Sequence, residues 1–484
     1  MASVSALLQE YWPHIVFLLT FVLAAAAAVH AAMNKTDVRA AIGWVGIILM
    51  SPLFGAFFYL IAGVNRVRHV QISQQRDKSL KEYTRLDDSP IADVTPYSAP
   101  QFASLQTLGD HITDFPLCDG NHIQMLVGGD QAYPAMLAAI DRARVSIALQ
   151  TYIFDNDAEG RKIADALGRA KERGVEIRVL IDAIGAKYSR PPIVRLLRRK
   201  GIRTALFMTN PLGLRMPYAN LRSHRKILIV DGCVGFTGGM NIRAGFVSAV
   251  AGEHTAGDTH FKVEGPIVPQ LTAVFAQDWE FTTREALPHE TWGCTAWTPP
   301  TPRAPARCIP SGPDRSILST HNMLLGAFAV AQRHIRIQSP YFLPDITLLG
   351  AINTAARRGI QVDIIIPGRN NLRLVNYAMT AQLDQVIRNG CRVWRARGNF
   401  NHSKLITVDG AWSYVGSSNL DPRSLRLNFE LDIEIYSRAT ARDIESLIDA
   451  EIRNADAVTL ESLAAMPFIK RLRNKIIWLA SPYL

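Results

Sequence analysis

Apolar and polar positions divide this chain into three kinds of territory. From Ile15 to Val29 only Thr20 interrupts an apolar run, which extends through His30 to Met33. A short turn with Lys35, Asp37 and Arg39 follows, and then Ala40 to Val64 contains no charged residue. Each run is long enough to cross about 30 Å of hydrocarbon as a helix. The first 14 residues carry Glu10 and no Lys or Arg, so the basic start of a cleaved signal peptide is missing, and a hairpin of two spans is expected instead. Further on the pattern changes to strand-length apolar runs alternating with helical ones. ARVSIALQTYIF (Ala143 to Phe154) precedes IADALGRAKERG and VEIRVLID. RHIRIQSPYFLP (Arg333 to Pro344) precedes LLGAINTAARRG and IQVDIIIPG. Each set predicts strand, helix, strand, with Ile163 and Leu167 on the core face of the first helix. Both helices run into basic residues followed by Gly174 or Gly359, which suits a helix end.

The two sets are copies. Each continues through a further helix and strand (RKGIRTALF, RNGCRVWRA). Gly174 and Gly359 lie 185 residues apart, and His224 and His402 lie 178 apart. An internal duplication explains both spacings. Alternating strands and helices imply the α/β class, each repeat a mixed sheet flanked by helices. Two punctuated stretches divide the chain further. DDSPIADVTPYSAP reads as part of a linker. TPPTPRAPARCIPSGP (Thr298 to Pro313) holds six prolines, which argue against a regular helix or a central strand and mark a seam between the halves. The expected division is a transmembrane hairpin over 1–66, a linker over 67–110, a first repeat over 111–297, a proline-rich linker over 298–313, a second repeat over 314–460 and a basic amphipathic segment over 461–484.

The chemistry sits at equivalent places in the repeats. SHRKILIVDG (Ser223 to Gly232) and NHSKLITVDG (Asn401 to Gly410) both read His-x-Lys-x-x-x-x-Asp. In a strand, residues i and i+2 face the same way, so His224 projects with Lys226 and His402 with Lys404. Asp231 and Asp409 close the apolar strands before a glycine. Each copy then reaches an asparagine, Asn241 in TGGMN and Asn419 in GSSN. If the halves pack about a pseudo-twofold axis, two imidazoles, two lysines and two amides converge on one cleft. Such a set suits phosphoryl or phosphatidyl transfer: one histidine attacks phosphorus, the other protonates the leaving oxygen, and lysines and amides hold the non-bridging oxygens. Built-in cations and donors make a metal or cofactor unnecessary, and none is expected.

This duplicated H-x-K-x-x-x-x-D resembles the signature of the phospholipase D superfamily. GSSNLDPRSLRLNFE (Gly416 to Glu430), DTHFKVEGPIV (Asp258 to Val268) and the N-terminal PLFGAFFYLIAGVNRVR are similar to the corresponding stretches of its bacterial cardiolipin synthases. The resemblance implies two phospholipase D-like repeats, with His224, Lys226, Asp231, His402, Lys404 and Asp409 as the catalytic motifs. It implies that His224 is the nucleophile and His402 the general acid and then base. Lys226, Lys404, Asn241 and Asn419 would hold the phosphate. Asp258 and Glu430 would orient the histidines, leaving the motif aspartates mainly structural. The implied reaction joins two phosphatidylglycerols into cardiolipin and glycerol. A hydrolase or a transphosphatidylase with another acceptor uses the same phosphate chemistry, as does a nuclease of the superfamily.

Charge and cysteine content narrow the setting. The formal net charge is +11, which calls for an anionic partner, a lipid surface or a nucleic acid. Two spans and the lack of an aromatic-basic stacking platform argue against nucleic acid. Arg66, Arg68, Arg76, Lys78, Lys81 and Arg85 follow the second span, so positive-inside logic puts the large C-terminal part in the cytoplasm of a bacterial cell, on its inner membrane. MPFIKRLRNKIIWLASPYL (Met466 to Leu484) has Phe468, Leu472, Ile476 and Leu479 at helical spacing among basic residues, a pattern for lying on an anionic membrane. The five cysteines are odd in number and scattered, so no disulfide framework or zinc site is expected and a reducing compartment fits.

Overall fold

The computed structural model describes residues 2–35, 37–63, 92–208, 221–294 and 301–481. They fall into two units, Met1–Val67 and Arg68–Leu484.

In the first unit the helix Ala2–Asn34 contains a stretch, Tyr11–Asn34, long and apolar enough to cross a membrane. The second apolar run is not one span. It forms the helices Val38–Met50 and Pro52–Phe58 and a wide turn over Tyr59–Gly63. The break follows from Pro52, which has no N–H to continue a helix, and from Ser51, whose φ −142° and ψ 79° are not helical. Gly55 lets the two short helices close up, since a Cβ there would come within 2.6 Å of the Ile47 carbonyl. The unit packs through Ala24, Ala27, Ala31, Ile48, Ala56 and Tyr59. Where the sequence suggests two full-length spans, the described residues form one span-length helix and two shorter apolar ones.

The second unit is built on one mixed sheet. The first half supplies β1 (Cys118–Val127), β2 (Ser146–Thr151), β3 (Glu176–Asp182), β4 (Arg203–Phe207), β5 (Arg222–Ser223), β6 (Ile227–Val230), β7 (Val234–Gly238) and β8 (Thr259–Glu264). The second half supplies β9 (Ala304–Ser311), β10 (His334–Gln338), β11 (Gln361–Pro367), β12 (Arg392–Ala396), β13 (Leu405–Val408), β14 (Trp412–Gly416), β15 (Asn428–Tyr436) and β16 (Ala455–Val458). The order is β16-β12-β11-β10-β13-β14-β15-β9-β1-β8-β7-β6-β2-β3-β4, with β5 beside β15. Reading outward from the β9–β1 pair, the halves are copies: β8, β7, β6, β2, β3, β4 on one side match β15, β14, β13, β10, β11, β12 on the other. In each half the helix after β2 or β10 begins at an aspartate cap, Asp157 or Asp345, and its turn ends in a left-handed glycine, Gly174 or Gly359, both at φ 88°. Separate apolar cores fill the two halves, with Ile163 and Leu167 in the first.

Three expectations change. The proline-rich stretch contains a central strand, β9, which pairs with β15 along six positions and with β1 only at Ala304 and Ala306. Pro305 falls where the ladder to β1 is irregular. Pro310 lies beyond the last pairing with β1, on the side where the Cys308 N–H turns to the Gln270 side chain at 2.8 Å. A proline thus costs no ladder bond at either place. The stretch read as linker includes the helix Phe102–Ile112, which buries Phe102 and Leu105 in the second-half core. Cys233 and Cys294 form a disulfide, with Cα atoms 4.9 Å apart. Their separation of 61 residues hid a pairing made when the turn after β6 meets the end of the helix His289–Trp292.

The motif aspartates fix the strand ends. Asp231 and Asp409 are both left-handed, at φ 51° and 53°, and each carboxylate collects three backbone N–H groups. Asp231 accepts from Arg144, Val145 and Ser146, and Asp409 from Gln332, Arg333 and His334. We expect Asp409→Ala to cost about 3 kcal/mol, because it strands three donors. Asp409→Asn, which keeps an acceptor, should recover part of this. Thermal melts of the three proteins check it, and an alanine variant as stable as the parent would remove the aspartate's structural role.

Candidate active site

The first half of each motif leaves the strand and crosses to the other repeat. β5 runs parallel to the start of β15, and the His224 N–H donates to the Phe429 carbonyl at 2.8 Å. In the equivalent place the His402 N–H donates to the Gly257 carbonyl at 2.7 Å. The intervening motif residues point to the opposite face, as period-two geometry requires. There Arg225 donates to the Glu430 carbonyl and pairs with Asp278, while the Ser403 hydroxyl meets Thr259.

This crossing decides which acid serves which histidine. Nδ1 of His224 lies 2.9 Å from Oε2 of Glu430, in the second half. Nδ1 of His402 lies 2.9 Å from Oδ2 of Asp258, in the first. The rings face each other nearly at right angles, with centroids 6.3 Å apart. With Nδ1–H committed to a carboxylate, Nε2 is the nitrogen each ring offers to the cleft. The lysine ammonium groups sit against the backbone of their own motif histidines, Lys226 Nζ 2.5 Å from the His224 carbonyl and Lys404 Nζ on that of His402, with Lys404 Nζ also 2.9 Å from His402 Nδ1. Asn241 uses its Oδ1 to accept from the Ile153 N–H at 3.0 Å, which leaves its NH2 free for an anion. Asn419 contacts the Ser424 hydroxyl at 3.2 Å.

The structure therefore brings together His224, His402, Lys226, Lys404, Asn241, Asn419, Asp258 and Glu430. It does not bring Asp231 and Asp409 to the cleft, where the sequence motif alone would group them. Sequence reasoning missed the exchange of carboxylates between halves, because the motif and its acid are local in the chain. It also missed Ser417, whose hydroxyl donates to Glu430 at 2.6 Å. A signal existed in the comparison of TGGMN with GSSN. The first-half counterpart of Ser417 is Gly239, where a Cβ would lie 2.3 Å from Asp258 Oδ1. This glycine permits a close approach of the shorter acid and is not a simple turn former. Tyr152 and Tyr341 add aromatic walls, with rings 5.4 Å and 6.1 Å from His224 and His402. The cleft between the halves encloses about 490 Å³.

Burial sets the charge states of the empty site. It pushes His224 well below the usual imidazole range and His402 down to about 3, with the lysines adding to the effect. Both rings are then neutral before substrate arrives. Burial also lowers Lys226 to about 7 and Lys404 to about 8. It raises the Asp258 carboxyl too, but Lys404 and His402 outweigh it and hold that acid below its ordinary value. Glu430 stays raised, since burial exceeds the pull of Lys226 and its hydrogen-bond donors.

Comparisons with known proteins identify the family of the chain. A family model described as cardiolipin synthase, PLD-like domain, matches residues 136–279 and 324–452. A second, described as phospholipase D-nuclease N-terminal, matches 22–63. Cardiolipin synthase A of Pseudomonas entomophila is 30% identical over 462 residues, covering 95% of each chain. A cardiolipin synthase of Alkalihalophilus pseudofirmus is 29% identical over 447 residues, covering 91% of this chain and 88% of that one. Among solved structures, phosphatidylserine synthase of Haemophilus influenzae superposes with a TM-score of 0.57 at 17% identity, over 75% of this chain and 95% of that one, and shares the fold.

The lowered lysines generate a pH dependence. A lysine must be protonated to hold a phosphate, so kcat/KM should fall as pH rises through about 7 to 8, the free-site values. The limb in kcat should lie higher, because a bound anion favours the ammonium. Lys226→Arg, whose charge does not titrate in this range, should shift the kcat/KM limb upward. A profile flat to pH 10 in the parent would show the lysines are charged throughout.

Proposed function

For a chain that belongs to the cardiolipin synthase family of phospholipase D-like proteins and is a phosphatidyltransferase, we propose that it joins two phosphatidylglycerols through a phosphatidyl-histidine. What carries this reading is the pair of buried imidazoles facing across one cleft, each with its far nitrogen on a carboxylate. Nε2 of His224 attacks the donor phosphorus, and the bond to the glycerol oxygen breaks. His402 supplies the proton that oxygen needs. Its low proton affinity in the empty site is raised by the phosphodiester's negative charge, so it becomes an acid when substrate is bound. Neutral His402 then takes the proton of the acceptor's terminal hydroxyl, which attacks phosphorus and displaces His224. Cardiolipin and glycerol leave, and both rings regain their starting states. Lys226, Lys404, Asn241 and Asn419 hold the non-bridging oxygens throughout, where charge builds up in each transition state.

Purified protein in mixed micelles with labelled phosphatidylglycerol tests this. Cardiolipin and free glycerol should appear in equal amounts, and His224→Ala or His402→Ala should each reduce both by at least about a thousandfold, the scale of losing one member of a catalytic pair. Phosphatidic acid as the sole product would replace the transferase by a hydrolase. Near-normal turnover by either variant would end the two-histidine scheme.

The chain is a membrane protein, and two finer features of its setting are part of the proposal. The first is that the catalytic unit faces the cytoplasm, which rests on the basic flank Arg66 to Arg85, outside the described residues. The second is that the C-terminal helix Phe468–Leu479 lies on an anionic lipid surface. Phe468, Ile469, Leu472, Ile476 and Leu479 are exposed with Lys470 and Arg471, while Asn474 is buried, and Arg473 covers Tyr377 at 3.6 Å. Two labels test this arrangement. A fluorophore on a cysteine at position 476 should report an apolar surrounding in anionic vesicles and water in detergent-free neutral ones; water in both removes the lipid contact. In intact cells, Arg442→Cys, at an exposed position, should escape a membrane-impermeant thiol label if the unit faces the cytoplasm. Labelling from outside puts the unit on the opposite side of the membrane.

A further inference from the structure

Joining two phosphatidylglycerols puts two phosphates in one cleft. The first reacts between the histidines. The second belongs to the acceptor, takes no part in bond making, and stays three carbons from the attacking oxygen. The motif lysines and asparagines are committed to the first. The second anion needs its own partner.

The repeats differ at one pair of positions that meets this need. The bridges Phe154↔Ile242 and Phe342↔Leu420 are equivalent, which aligns Arg243 with Asp421 and Asp155 with Leu343. At this aligned position an arginine beside a buried aspartate stands in the first half, where the second half has Asp421 and Leu343. Arg243 Nη2 lies 3.1 Å from Asp155 Oδ2, and its side chain remains 41% exposed in the cleft wall. That ion pair occupies one corner of a group with five donors. The backbone beneath is fixed, since the Arg243 N–H donates to the buried Tyr133 hydroxyl at 3.0 Å and the Ala244 N–H to Asp157 at 2.6 Å.

Chain topology puts this wall on the His402 side. The Ala256 N–H donates to the Gly245 carbonyl, the Gly257 N–H to that of Phe400, and the His402 N–H to that of Gly257. Arg243, Gly245, His254 and Ala256 line the cleft from this stretch. Around His224 the corresponding wall comes from the second half, where Arg423 accompanies the buried Asp421, together with the adjacent Arg222 of the first half. We infer that Arg243, backed by Asp155 and joined by His254, forms a subsite for the spectator phosphodiester of the acceptor phospholipid. The inference rests on the roles proposed above, in which His402 activates the acceptor hydroxyl. The donor's leaving glycerol is uncharged and passes through the same place without needing the arginine. Water and simple alcohols do not need it either. Arg243 thus selects an anionic lipid over those competitors at the second step.

A competition between acceptors reads this directly. Full-length protein in micelles of phosphatidylglycerol with ethanol present yields cardiolipin and phosphatidylethanol from one covalent intermediate. In Arg243→Gln the ratio of cardiolipin to phosphatidylethanol should fall at least tenfold, Arg243→Lys should recover part of it, and His254→Gln should lower it less. An unchanged ratio overturns the subsite, whether total turnover falls or not. Loss of both products together in the Gln and Lys variants alike also overturns it, by assigning the arginine to the donor or to the fold. A parent protein that forms phosphatidylethanol but no cardiolipin fails the underlying reading instead, and is recognised before any variant is made.

Discussion

Each cleft imidazole is oriented by an acid from the opposite repeat, and the architecture follows from that exchange. For His224 to reach Glu430 and His402 to reach Asp258, the two motif strands must run beside each other's repeat at the centre of the molecule. The continuous sheet, with β9 against β1 and β5 beside β15, is the scaffold that makes both contacts at once. Arg225 and Ser403, turned away from the cleft, tie the same crossings from behind. Neither repeat holds a complete histidine–carboxylate pair by itself.

Concentrating two lysines and two histidines in a dry cleft works against the charges that phosphate binding requires. Burial lowers all four groups, and the lysines lower the histidines further. The unliganded site thus holds less positive charge than its residue list suggests. In the proposed reaction an anionic substrate supplies the missing favourable term and draws protons onto the groups assigned to act on it. The tightly held carboxylates keep each ring in one tautomer, so the protonation that changes is at the cleft-facing nitrogen.

Much of this was legible in the chain because the duplication repeats whole patterns. Strand, helix, strand with a left-handed glycine recurs, and the His-x-Lys spacing needs only period-two geometry to bring its side chains to one face. What was not legible depends on encounters between distant segments. The crossing of Asp258 and Glu430 is one, since each acid follows its own motif in sequence but serves the other. Cys233 and Cys294 are another, brought together by a turn and a short helix that have no shared pattern. In TPPTPRAPARCIPSGP the prolines argued against a central strand, yet β9 is one, because it faces a glutamine and a bulge on its proline side. The second apolar run had the composition of a span, while Ser51-Pro52 divides it.

The exchange of carboxylates also orders events during synthesis. His224 leaves the ribosome long before Glu430 does, and Asp258 waits for His402. Until residue 430 has emerged, the His224 ring has no carboxylate to orient it, although its motif is already made. A chain interrupted before residue 430 therefore lacks the carboxylate that orients His224, and one interrupted before residue 402 lacks the second imidazole as well.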